Sequence, residues 1–187
     1  MRLFVAAYPP VEALNDLQGY VGRLNIATAA VNTRLTARPL WHVTLAFLGE
    51  VADERVPEAG RALDRAAESL GPLRPLLRCA GGGRFGRARF TLLWAGIGGD
   101  VAALGRISDG VRRELRASRL PYDMKRFNPH LTLARPGERL PDSAIAEDLA
   151  TLGEYRGPQW TISTIELVAS YLGPHPRHEV IHTATLG

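Results

Sequence analysis

The chain has 187 residues, 45% hydrophobic and 22% charged, with a net charge of +4 and a single cysteine. That length fits one domain or two intimate lobes and can bury a core without disulfides or metals. Cys79 alone excludes an intrachain disulfide, and no apolar run approaches the ~20 residues of a membrane helix. The apolar opening from Arg2 to Tyr8 is too short for a signal peptide and is closed by Pro9-Pro10, so a cytoplasmic protein without membrane association is expected. The positive charge is nearly all arginine, Lys125 being the only lysine, which permits an anionic substrate.

In chain order, residues 2–8 read as a strand. Val11, Leu14, Leu17, Val21 and Leu24 then recur at helical spacing, with Pro10 suited to the first turn. Residues 26–40, with Arg34 and Arg38, are polar and irregular and lead into the stretch Trp41-His42-Val43-Thr44-Leu45-Ala46-Phe47-Leu48-Gly49-Glu50. A helix is predicted over 57–70, stopped by Gly71-Pro72. Residues 73–80 read as a strand, Gly81 to Arg87 as a turn or loop, and 90–97 as a second strand, together a hairpin. Cys79 is read as a small buried residue rather than a reactive thiol. Asp100 suits the N-cap of a helix carrying Val101, Leu104, Ile107, Val111 and Leu115 on one stripe, with Arg112, Arg113, Arg116 and Arg119 on a solvated face. A loop from Pro121 to Pro129 delivers His130-Leu131-Thr132-Leu133-Ala134-Arg135. Asp142 opens a short helix to about Leu152, and two final strands are predicted over 159–172 and 178–186.

The pattern His-x-Thr-Leu therefore occurs twice, each time in an apolar strand bounded by turn formers. Strand side chains alternate faces. His42 and Thr44 then share one face, with Val43, Leu45 and Phe47 on the other; His130 and Thr132 share one face, with Leu131 and Leu133 on the other. The apolar faces can enter a core, leaving the His/Thr faces to line a cleft, with the two strands side by side in one active site. A helix precedes each motif strand, and the histidines are 130 − 42 = 88 residues apart, near half the chain. The expected fold is α+β, with antiparallel sheets in two similar lobes about a pseudo-twofold axis, residues 1–187 forming one domain.

Two histidines facing one cleft can work as an acid and a base, since an imidazole with a pKa of ~6.5 is available in both states near neutrality. Each threonine hydroxyl can donate to a phosphoryl oxygen or orient the ring beside it. This is a site for opening or making a phosphodiester without metal. Metal binding is the competing reading of paired histidines, and His175, His178 and His182 are further candidate ligands. They lie in a loop and the final strand with no HExxH or CxxC pattern, and His178 and His182, sharing one strand face, are read as structural or surface residues. No Gly-x-Ser-x-Gly elbow exists, and no Gly-Lys-Ser/Thr follows the glycines at 81–86. Arg84 and Arg87 are the phosphate contacts that loop would offer.

The two motifs, with the opening Arg2-Leu3-Phe4-Val5-Ala6-Ala7, the Phe47-Leu48-Gly49 tail, Phe85-Gly86, Leu93-Trp94-Ala95-Gly96 and Trp160, resemble the two-histidine (2H) phosphoesterase superfamily. Within it the resemblance is to the LigT-like RNA 2′,3′-cyclic phosphodiesterases, over nearly the whole chain. It implies a bilobal α+β fold with a central cleft, metal-independent chemistry with no cofactor, and hydrolysis of a terminal 2′,3′-cyclic phosphate on RNA to a 2′-phosphate. By this resemblance His42 is the proton donor to the departing 3′ oxygen, His130 the proton acceptor from water, and Thr44, Thr132 and Arg135 hold the phosphate. The implied partner is RNA with a cyclic phosphate end, such as tRNA fragments, bound by a monomer. The alternatives are 2′–5′ ligation of tRNA halves in the same site, a small cyclic nucleotide phosphodiesterase, and a non-catalytic RNA- or phosphate-binding module. Arg135, five residues from His130, has the wrong parity for the His face unless the strand ends or bulges near Ala134. Trp41, Phe85 and Phe127 are read as core residues, with base stacking as the alternative.

Overall fold

The computed structural model describes residues 1–30 and 32–187. Among the described residues, eight strands form two four-stranded antiparallel sheets. The first has the order β2-β1-β7-β8, from β1 (Arg2–Ala7), β2 (Val43–Glu50), β7 (Thr164–Tyr171) and β8 (Arg177–Thr185). The second has the order β5-β4-β3-β6, from β3 (Leu76–Phe85), β4 (Leu92–Gly99), β5 (His130–Ala134) and β6 (Arg156–Thr161). The motif strands β2 and β5 are thus the end strands of separate sheets. They face one another across a cleft instead of pairing side by side, the arrangement expected from the sequence.

The helices are α1 (Val11–Val21), α2 (Asn25–Thr28), α3 (Val56–Leu70), α4 (Val101–Ala117) and α5 (Asp142–Glu154). The units β1-α1-β2 and β4-α4-β5 are the two halves of the pseudo-twofold. Each half sends its helix to the other half's sheet. α4 packs on β2, whereas α1 packs on β3 and β6. α3 joins α4 under the first sheet, and α5 joins α1 under the second. One buried cluster runs through both sheets, from Leu3, Val5 and Leu45 to Leu77, Leu93 and Leu131.

Several elements depart from the sequence reading for local reasons. The segment 81–85 is not a loop, because β3 runs through its glycines. A Cβ on Gly83 would collide with the Trp94 ring, so the strand accepts that indole only where it has no side chain. The turn comes later, at Gly86 to Phe90, which leaves Phe90 70% exposed and starts β4 at Leu92. The single strand predicted over 159–172 is two strands in different sheets: the chain crosses between them at Ile162-Ser163. The segment read as irregular from residue 26 begins inside α2, whose first N–H groups, on Asn25 and Ile26, donate to the buried Asp148 carboxylate of α5 at 2.7 and 3.0 Å. Asp100 caps α4 by accepting from Ala103 N–H at 3.0 Å. Arg113, Arg116 and Arg119 are exposed as predicted, but Arg112 is half-buried and donates to the Lys125 carbonyl at 3.0 Å, tying down the 121–129 loop. Cys79 is buried, and burial first, with Asp16 second, pushes its thiol up to about 12.

Candidate active site

Both motif strands carry a bulge at the same letter of His-x-Thr-Leu. In β2, Thr44 pairs with Ala6 and Ala46 with Val5, so Leu45 is the extra residue. In β5, Thr132 pairs with Trp94 and Ala134 with Leu93, so Leu133 is the extra residue. The carbonyl that each bulge frees is satisfied from outside its sheet ladder. Ser108 of α4, fully buried, donates its hydroxyl to Leu45 O at 2.6 Å, and Thr36 N–H donates to Leu133 O at 2.8 Å.

A bulge reverses the alternation beyond it. Phe47, expected on the core face, turns instead to the His/Thr face and packs with Phe4, Ala6 and Val168. Arg135 turns the same way and lines a cavity of about 700 Å³ with His42, Thr44 and Thr132. The parity conflict noted at Arg135 is thus removed by the bulge at Leu133. Before the bulges the alternation is as read, with Val43 and Leu131 fully buried.

The two imidazoles are held alike. His42 Nδ1 lies 2.8 Å from Leu40 O, and His130 Nδ1 lies 2.7 Å from Asn128 O, each a carbonyl two residues earlier. Each neutral ring therefore keeps its proton on Nδ1 and leaves Nε2 as an acceptor. His42 Nε2 is 3.1 Å from Thr44 Oγ1, whose hydroxyl donates to it.

Their surroundings differ. Phe4 stacks on His42 at 4.6 Å, Tyr8 lies at 5.8 Å, and the His178 ring meets it edge-on at 5.1 Å. Burial first, then His178, holds His42 down to about 4, against the opposing pull of its bond to Leu40. His130 touches Phe85 edge-on at 4.9 Å and Trp94 at 5.9 Å, and burial lowers its pKa too. It opens on a second cavity of about 960 Å³, lined also by Thr44, Phe47, Phe85, Arg112 and Phe127. Phe85 and Phe127 therefore border the cleft, whereas Trp41 is buried and donates to Thr36 O at 3.0 Å, the core role expected of it.

His178 is a cleft residue, although the sequence alternation groups it with His182 on one strand face. A bulge at Ile181, between the pairs Leu167–His182 and Val168–Val180, separates them. His182 turns to the helix side and donates to Asp64 of α3 at 2.7 Å, while His178 turns to His42. Phe4 and Tyr8, read only as strand residues, also wall the site; no sequence signal distinguishes the two faces of a strand as apolar as β1. Among the described residues, no three His, Cys, Asp or Glu side chains gather as a metal-binding group.

Two histidines and two threonines thus stand on opposed end strands of a duplicated α+β fold, an arrangement of the two-histidine phosphoesterase class. Residues 9–173 match the 2′-5′ RNA ligase superfamily, and the chain belongs to that family. It is 34% identical over 160 residues to a protein of Aeropyrum pernix named RNA 2′,3′-cyclic phosphodiesterase, covering 81% of this chain and 88% of that protein. A protein of the same name from Thermus thermophilus is 28% identical over 193 residues, covering 93% and 84%. The crystal structure of the Thermus thermophilus protein TT0787 superposes with a TM-score of 0.74 at 25% identity, covering 100% of this chain and 98% of that one. Escherichia coli LigT complexed with 3′-AMP shares the fold, with a TM-score of 0.73 at 22% identity, covering 99% and 97%. No helix is long and apolar enough to cross a membrane among the described residues.

Proposed function

We propose that the protein is a metal-independent RNA 2′,3′-cyclic phosphodiesterase that opens the cyclic ester to a 2′-phosphate. The observation that carries this reading is the matched pair of imidazoles, each with Nδ1 anchored on a backbone carbonyl and Nε2 left free to exchange a proton. The names of its relatives support the substrate class.

Water enters from the larger cavity beside His130, and His130 Nε2 takes its proton as the water oxygen bonds to phosphorus. The P–O3′ bond breaks on the opposite side, and His42 Nε2 gives its proton to the departing O3′. Thr44, Thr132 and Arg135 hold the non-bridging oxygens. In the free site both rings are held below the ordinary imidazole value, so His42 is mostly unprotonated at neutral pH. The anionic phosphate raises both when it binds and makes the proton on His42 available where it is used.

One domain of residues 1–187, acting as a cytoplasmic monomer on RNA ends such as tRNA fragments, completes the proposal. The cavity beside His130 exceeds what a water needs, which favours 2′–5′ joining by a 5′-hydroxyl end as a second reaction. The test is incubation, in EDTA, with a short RNA ending in a 2′,3′-cyclic phosphate. A 2′-phosphate product that His42→Ala fails to make is expected; no opening by the wild type would overturn the assignment.

A further inference from the structure

The cavity on the His42 side carries more positive charge than one phosphate explains. Its cationic lining is Arg2, Arg34 and Arg135, joined by the imidazoles of His42, His175 and His178, with no carboxylate among the described residues. Arg135 is assigned above to the reacting phosphate, which leaves Arg2 and Arg34. Neither guanidinium has an ion pair or a hydrogen-bond acceptor among the described residues. The cavity beside His130 is more nearly balanced: it holds the carboxylate of Asp123, which pairs with Lys125 at 3.2 Å, and Arg112 donates to the Lys125 carbonyl, leaving Arg126 as its one cation without an ion pair or acceptor among the described residues. Like charges gathered without counter-charge repel one another unless an anion joins them.

Both arginines are also placed before any ligand arrives, Arg2 through its guanidinium and Arg34 through its backbone. The Arg2 guanidinium lies over the Phe47 ring, 4.8 Å from its centroid, on the face that the β2 bulge exposes. Arg34 has φ of 51°, a left-handed conformation that is unfavourable for arginine. It is maintained by Asn32 Oδ1, which accepts Arg34 N–H at 2.9 Å, and by Arg135 N–H, which donates to Arg34 O at 3.1 Å. Leu35 bridges to Ala134, so this segment extends the second sheet and sets Arg34 next to Arg135. His178 adds a third group. Its Nδ1 is buried without a partner among the described residues, so Nε2 is the nitrogen the cavity can reach.

In-line displacement decides what lies on this side. The leaving O3′ belongs to the terminal ribose, so that ribose lies toward His42, and the strand continues from it to the next phosphate. We propose that Arg2, Arg34 and His178 form a second phosphate subsite that binds the phosphodiester linking the terminal nucleotide to its neighbour. This rests on the cyclic phosphodiesterase reading and makes the preferred substrate an oligonucleotide end rather than a mononucleotide.

The test uses the whole chain and two dinucleotides ending in a 2′,3′-cyclic phosphate. One has an ordinary internal phosphodiester, the other an uncharged methylphosphonate in its place. Wild-type kcat/KM should favour the charged dinucleotide by about tenfold or more, the effect expected of lost charge-assisted hydrogen bonds. In Arg2→Gln/Arg34→Gln the ratio should fall to about twofold, and Arg2→Lys/Arg34→Lys should restore part of it. Because each variant is judged by a ratio of two substrates, partial unfolding does not imitate the result. Equal wild-type rates on the two dinucleotides, or a preference that survives in the glutamine variant, would overturn the subsite. No opening of either dinucleotide by the wild type would instead overturn the cyclic phosphodiesterase reading, and the subsite with it.

Discussion

The two motif strands are built alike and furnished differently. Each anchors a histidine on the carbonyl two residues back, bulges at the leucine, and returns a third side chain to the cleft. Beyond the bulge, β2 delivers Phe47 where β5 delivers Arg135. Around the rings, His42 is enclosed by Phe4, Tyr8 and His178, whereas His130 borders the larger cavity beside Phe85. Duplication thus supplies two equivalent imidazole positions, and in the proposed mechanism the divergence around them makes one the acid and the other the base.

Removing either ring should have the largest effect. His42→Ala and His130→Ala should each lower kcat about 10²–10⁴-fold on a cyclic-phosphate RNA, as measured in single-turnover assays. If one of them left activity intact, the two positions would not both be used. The residues past the bulges should differ next. Arg135→Gln should lower kcat/KM about 10–100-fold, the cost of a charge-assisted contact to phosphate, while Phe47→Leu should cost only a few-fold in the same steady-state assay. Equal effects would mean that the strands are more alike than their contacts suggest.

The bulges themselves are testable through stability. Ser108→Ala removes the hydroxyl that satisfies Leu45 O and should cost about 1–3 kcal/mol in urea unfolding, with little change in slope. An unchanged midpoint would show that Leu45 O finds another partner.

The pH profile gives a subtler difference. Since kcat/KM reports the free protein, it should fall below pH about 4 as His42 and then the pair become fully protonated, and fall again above a value below the usual 6.5 as the last proton leaves. The kcat profile should lie at higher pH, because bound phosphate raises both rings. Superimposable profiles would contradict that coupling.

Much of this is readable from the chain. The repeated His-x-Thr-Leu with its period-two alternation places both histidines on a cleft, and the helical spacings locate α1, α3 and α4 within a few residues. What stays hidden depends on register. A bulge leaves no mark in composition, so simple alternation puts Phe47 on the wrong face and groups His178 with His182. Glycines usually signal a turn, and those at 82 and 83 give that signal in a strand whose neighbours, Leu152 and Trp94, need the room. The sheet change at Ile162-Ser163 carries no glycine or proline, and a lone serine is too weak a turn signal to mark it. The placement of β2 and β5 across a cleft rather than along a ladder is a tertiary fact that no local pattern encodes.

The division of labour between the histidines is the central claim, and leaving-group chemistry tests it most directly. A cyclic substrate with sulfur in place of O3′ departs as a thiolate and needs no proton. His42→Ala should recover most of its lost rate on that substrate, relative to the wild type, while His130→Ala should stay as defective as on the oxygen ester. Rescue of His130→Ala instead would contradict the account and exchange the two roles.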